Sequence, residues 1–280
     1  MPCREDMRRA LVELVSRVER LPEYEGVYVD EVELNSRNGA KIDAAVEHCW
    51  HDALSDIDAR VRLALAGDDL PAYLTAAGAR RLGFGPEEVL GLCVDARGEE
   101  ALYRIARRDG MRFDLKLQLR PDAGRAALGL APERDEPEPG EGRIWPRPTA
   151  EQADRFWFVQ VQALGKLLRG DYLIADHLAN CQINETLVMQ MRLRDDAKGT
   201  CVHRYGGCER LEYLAAEAPA FPAADGTAEH IGRKLAAAAR AFDALTAAQW
   251  PGYRARAEEF YAVWRALEAE LAGRAGQVLR

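Results

Sequence analysis

The sequence has no apolar run approaching the roughly 18 residues that a membrane-spanning helix needs, so a membrane span is not expected. Its first residues, MPCREDMRRALVELV, carry charge where a secretory signal would carry an apolar core. Cysteine is sparse. Six are scattered over 280 residues (3, 49, 93, 181, 201 and 208) with no CxxC, no HExxH and no framework spacing. That pattern speaks against a disulfide scaffold or a standard zinc motif. His48, Cys49 and His51 are neighbours in sequence, as are Cys201, His203 and Cys208, and both groups read as ordinary buried or surface residues. Excess positive charge is also missing. A net charge of −8 argues against a general nucleic-acid binder, whose affinity would rest on a basic footprint. The local basic run Arg104, Arg107, Arg108 and Arg112 could hold a phosphate, but reads first as a solvated face. There is no internal repeat. These absences together fit a soluble cytoplasmic protein with reduced thiols.

Apolar residues make up 48% of the chain, enough for a sizeable core. One segment cannot belong to it: residues 131–148, APERDEPEPGEGRIWPRP, are rich in Pro, Glu and Gly and read as a linker or long surface loop. It separates residues 1–130, which look mixed, from residues 149–280, which look helical. The expected fold is therefore α+β, a mixed-sheet domain followed by a helical bundle. In the first part, helical spacing covers 7–18, a strand is expected over 27–34, a second over 55–65, a helix over 69–83 and a buried strand over 89–94. Residues 101–119 read as a hairpin about Asp109-Gly110. In the second part, Thr149 and Gln152 form a capping box that opens a helix over 150–169 closed by Gly170. Further helices are expected over 172–194, 227–246 and 251–273.

The segment SDIDARVRL (55–63) alternates strictly, with Ile57, Ala59, Val61 and Leu63 apolar and Asp56, Asp58, Arg60 and Arg62 charged. Side chains two apart share one face of a strand, so both aspartates point the same way. Asp114, in RFDLKL (112–117), falls on the polar face of another alternating strand. Three carboxylates gathered this way repel unless a cation neutralises them. Oxygen ligands in small number suit Mg²⁺, which keeps waters and binds substrate phosphates. Between the strand over 27–34 and the D-x-D strand, Leu34-Asn35-Ser36-Arg37-Asn38-Gly39 is a turn in which a hydroxyl and backbone N–H groups can meet phosphate oxygens.

The order of these parts, a Ser turn, then D-x-D, then a third Asp on a later strand, resembles the polymerase-beta type nucleotidyltransferase superfamily. More closely it is similar to the aminoglycoside 6-adenylyltransferase (streptomycin adenylyltransferase) family. The resemblance is carried by NSR (35–37), SDIDARV (55–61), RFDLKL (112–117), the block FWFVQVQALGKLLRGDYLIADHL (156–178) and CVHRYGGCERLEYL (201–214). It implies a catalytic domain at 1–130 and a helical substrate-binding domain at 149–280. It implies transfer of AMP from ATP to a hydroxyl of an aminoglycoside-like small molecule, with release of pyrophosphate. Asp56, Asp58 and Asp114 would hold Mg²⁺. Asn35, Ser36, Arg37 and Lys166 would meet the nucleotide's phosphates. Asp114, Asp171 and Asp176 are the candidates for the general base. The same chemistry could serve a lincosamide, another metabolite, or a protein or RNA of a toxin–antitoxin system, and a non-catalytic nucleotide-binding homologue is the remaining alternative. Two departures stand out. Asn35 replaces the family's Gly, which requires room beside the phosphates or a left-handed backbone, tolerated by Asn better than by most residues. The interval from Ser36 to Asp56 is also longer, and contains KIDAAVEHCWHDAL (41–54).

Overall fold

A computed structural model describes residues 3–65, 69–98, 100–121, 145–199 and 227–278. The chain divides into two compact units, Met1–Glu133 with Val263–Arg280, and Arg134–Ala262. The described residues form a mixed α+β protein with one six-stranded sheet and eight helices. None of these helices is long and apolar enough to cross a membrane.

The first unit begins with α1 (Arg4–Val18), whose Met7, Leu11, Leu14, Val15 and Val18 form one buried stripe. A β1 (Tyr24–Val29) and β2 (Val32–Leu34) hairpin follows, then α2 (Gly39–Cys49), β3 (Asp56–Leu65), two short helices α3 (Leu70–Tyr73) and α4 (Ala76–Arg81), β4 (Val89–Arg97), β5 (Glu100–Arg107) and β6 (Arg112–Pro121). The sheet order is β2-β1-β3-β6-β5-β4. Only β3 and β6 run parallel; every other pairing is antiparallel. The alternation seen in the sequence becomes two faces. Ile57, Val61 and Leu63 of β3 and Phe113, Leu115, Leu117 and Leu119 of β6 are buried in one core with the apolar residues of α1 and α2. Each such side chain stabilises the fold by roughly 1.5–3 kcal/mol through burial. That gain fixes the register, because a slip by one residue would bury the aspartates and arginines instead.

Two elements differ from expectation. The strand expected over 27–34 reverses at Asp30 and Glu31, which adopt φ of +46° and +63°. This is the two-residue hairpin geometry usually supplied by Asn-Gly or Asp-Gly, and Asp-Glu does not announce it. The helix expected over 69–83 breaks at Thr75, whose hydroxyl donates to the Ala72 carbonyl and accepts from the Ala77 N–H. The hydroxyl there competes with the helical ladder and starts a new helix.

In the second unit, α5 (Ala150–Leu168), α6 (Tyr172–Lys198), α7 (Ala228–Gln249) and the start of α8 (Ala257–Val278) pack around aromatic rings. Thr149 and Gln152 form the reciprocal capping box, and Gly170 closes α5 with φ +78°. Phe156 stacks on Phe242 with centroids 3.6 Å apart, and Trp157 donates from Nε1 to the Tyr253 hydroxyl at 2.8 Å. The Phe-Trp pair of the 156–178 block is thus core. Most of the segment read as a linker, and all of 201–214 with Cys201, His203 and Cys208, lie outside the described residues.

Candidate active site

Ser55, the residue before the D-x-D, is buried, and its Oγ accepts from the N–H groups of His51 (2.8 Å) and Asp52 (2.9 Å). This small turn delivers the chain into β3 with Asp56 as its first residue. Parallel pairing then sets Asp58 directly beside Asp114, and Asp56 beside Arg112. Antiparallel pairing of β5 brings Arg104 beside Asp114. The three aspartates therefore share one sheet face, bracketed by two guanidiniums. Arg112 lies 3.4 Å from Asp56, and Arg104 lies 3.9 Å from Asp114. Arg112 also donates to the Leu54 carbonyl, which anchors it. The reading of Arg104 and Arg112 as a solvated face is thereby corrected: both are counterions of the acidic trio.

Electrostatics follow from this crowding. Burial, then the charges of Asp56 and Asp58, push the Asp114 carboxyl up to about 6, against the pull of Arg104 and Arg112. Burial and then Asp56 also raise Asp58, opposed by Arg112 and His48. A cleft of about 380 Å³ opens over the pair, lined among others by Tyr28, His48, Asp58, Arg60, Asp114 and Lys116. Among the described residues, no three His, Cys, Asp or Glu side chains stand close enough together to hold a metal ion. The trio is thus spread along the strands, its outer carboxylates turned to arginines. Its chemistry still fits Mg²⁺, which needs only one or two carboxylates and retains water. Burial first, and then neighbouring carboxylates, disfavour the ionised forms of Asp58 and Asp114, and a cation bound there would offset both.

The turn expected to hold phosphate has an occupant of its own. The Ser36 N–H donates to Glu19 Oε1 at 3.0 Å, and the Ser36 hydroxyl donates to Glu19 Oε2. One carboxylate from the end of α1 takes both donors. Asn35 is not in the left-handed region, since Asp30 and Glu31 are the only non-glycine described residues with positive φ. Its Oδ1 instead accepts the Arg37 N–H at 2.8 Å, closing an Asx turn, while Arg37 itself is exposed. Asn35→Gly should cost about 0.5–1.5 kcal/mol, from the lost hydrogen bond and the added chain freedom. Urea unfolding measures this; an equal or higher midpoint would rule out the Asx turn as a stabilising element.

The remaining sequence-derived candidates lie in the second unit. Lys166, in the last turn of α5, is 3.4 Å from Asp171. Asp171 caps α6, its Oδ1 accepting the Ile174 N–H. Asp176 accepts from Lys234 Nζ at 2.7 Å and from Asn180 Nδ2 at 3.1 Å. The structure therefore brings together Asp56, Asp58 and Asp114, sets Ser36 against Glu19, and gives Lys166, Asp171 and Asp176 local partners. Arg112 was legible as a site residue, being two positions before Asp114 and so on its face. Arg104, Glu19 and Ser55 had no sequence signal, because each enters through pairing or a turn.

No family model matches the chain, and neither does any curated protein sequence.

Proposed function

We propose that this chain is a Mg²⁺-dependent nucleotidyltransferase that moves AMP from ATP to a hydroxyl of an aminoglycoside-like small molecule and releases pyrophosphate. The observation that carries the reading is the cross-strand pair Asp58 and Asp114 with Asp56 on the same face, short of positive charge and open to a cleft. Asp58 and Asp114 would hold the metal, with Asp56 beside them on the same face; when bound it would neutralise charge on phosphoryl oxygens and orient them. In the transfer, the acceptor oxygen forms a bond to the α-phosphorus as the bond to the bridging oxygen breaks, and pyrophosphate leaves with that electron pair. The acceptor's proton passes to a carboxylate. Asp114 is the base candidate that lines the cleft. Arg104 and Arg112 offset the charge of Asp114 and Asp56 from the flanks. The acidic rim formed by Asp30 and Glu31, with the net charge of −8, suits a cationic acceptor.

A second reading has a specific observation in its favour. Glu19 on Ser36 removes the donors expected to grip phosphate, which fits a nucleotide-binding homologue without turnover. Pyrophosphate release from Mg²⁺–ATP, measured against streptomycin, other aminoglycosides, a lincosamide and buffer, separates the two. Release that depends on one acceptor and disappears with Asp56→Asn supports transfer. Binding of Mg²⁺–ATP with no release across the panel supports the second reading, and no binding at all removes both.

A further inference from the structure

We infer that the phosphate tail of a nucleoside triphosphate is held in this cleft by Arg60 and Lys116, not by the Ser36 turn. The assignment rests on the nucleotidyl-transfer reading and adds the residues that grip the donor. Arg60 and Lys116 are direct partners across the parallel β3–β6 pair, one pleat beyond Asp58 and Asp114 and on the same face. One pleat is ~6.6 Å along a parallel strand. Both cations line the same cleft as the two aspartates. Phosphates that share a divalent ion with Asp58 and Asp114 therefore have two cations within reach, on rigid strands.

The cations are already shown binding oxyanions. Arg60 holds Glu31 with two parallel bonds, Nη1 to Oε2 at 3.0 Å and Nη2 to Oε1 at 2.6 Å. That fork takes phosphate in the same geometry. Lys116 is 3.2 Å from Glu100. Both partner carboxylates are exposed, at 70% for Glu31 and 51% for Glu100, so these pairs cost little to exchange. Glu31 also sits on a two-residue turn at positive φ and can swing away without disturbing the core. The Ser36 donors, in contrast, are half-buried and both taken by Glu19. Asp30, Glu31 and His48 flank the cleft, and Arg104 and Arg112 remain engaged with the acidic trio.

Calorimetric titration of the full chain with Mg²⁺–ATP, and separately with AMP, tests the assignment. Arg60→Met and Lys116→Met should each weaken Mg²⁺–ATP about tenfold or more and leave AMP within about twofold, since AMP lacks the tail. Ser36→Ala should leave both unchanged. Glu31→Gln, which loosens the hold on Arg60, should tighten Mg²⁺–ATP severalfold, a gain that a misfolded variant cannot produce. Loss of ATP affinity through Ser36→Ala, with Arg60→Met and Lys116→Met unaffected, overturns the assignment and leaves nucleotidyl transfer standing. Equal weakening of ATP and AMP by the Met variants overturns it as well. Failure of the wild-type chain to bind Mg²⁺–ATP overturns both.

Discussion

Asp114→Asn should make the metal-free protein more stable at pH 8 while reducing nucleotidyl transfer by roughly three orders of magnitude, the scale on which placed charge acts in a transition state. The two effects have one origin. In the folded chain Asp114 keeps its proton up to about 6, whereas an unfolded carboxyl loses it near 4. A raised acid works against folding once the unfolded form has ionised. Its contribution to stability therefore falls as pH rises from about 4 to about 6 and stays low above that. Two units correspond to at most ~3 kcal/mol. The side chain is about one-third exposed, which screens the repulsion and lowers the expectation to about 1–2 kcal/mol. Urea unfolding of wild type and variant at pH 3.5 and pH 8 reads it directly. The variant should gain at pH 8 and be level at pH 3.5. Added Mg²⁺ should stabilise the wild type at pH 8 and do much less for the variant. A variant that is weaker at pH 8 would show that the three carboxylates do not repel, and the account of the trio would fail.

Asp176→Ala should destabilise the protein by about 3–5 kcal/mol, the cost of leaving a buried charge without its partner. Lys234 is only 5% exposed in its side chain and Asp176 18%, with the ammonium 2.7 Å from the carboxylate. Lys234→Met should cost far less, because a flexible apolar chain fills the space and Asp176 keeps its contact with Asn180 and some solvent. This asymmetry also bears on Asp176 as a general base. A structural role predicts loss of melting temperature with the activity per folded molecule retained in Asp176→Asn. A catalytic role predicts the reverse, an intact melting temperature and lost turnover. Thermal unfolding and single-turnover measurements on the same samples distinguish them.

Much of the fold could be read from residues alone because its elements are written in periods. The alternation through Ile57, Ala59, Val61 and Leu63 gave a strand and its buried face together. Thr149 with Gln152, and Gly170, marked both ends of α5 by their chemistry. What escaped depended on partners far along the chain. The Asp30-Glu31 reversal lacks the usual turn residues. Thr75 splits a helix through hydrogen bonds that compete with a pattern otherwise helical. The site divides in the same way. Asp56 and Asp58 share a face by local geometry, and placing Asp114 required only that its strand join theirs. Arg104 enters through an antiparallel register that periodicity does not encode. Glu19 meets Ser36 because of where α1 ends, and no short stretch of sequence contains that contact.

The parallel pairing of β3 and β6 also constrains how the molecule is made. Strands of this kind cannot be joined by a tight turn, and the connection between them here carries α3, α4, β4 and β5. Loop closure over that distance is an entropic toll levied before any contact rewards it. Here the pairing of β6 with β3 brings a negative charge toward two others. Its arrival is steered by Phe113 and Leu115 on one side and resisted by carboxylates on the other. Refolding should thus be faster in the presence of divalent cations or at mildly acidic pH, and the central step of assembly and the central step of chemistry would share the same electrostatic requirement.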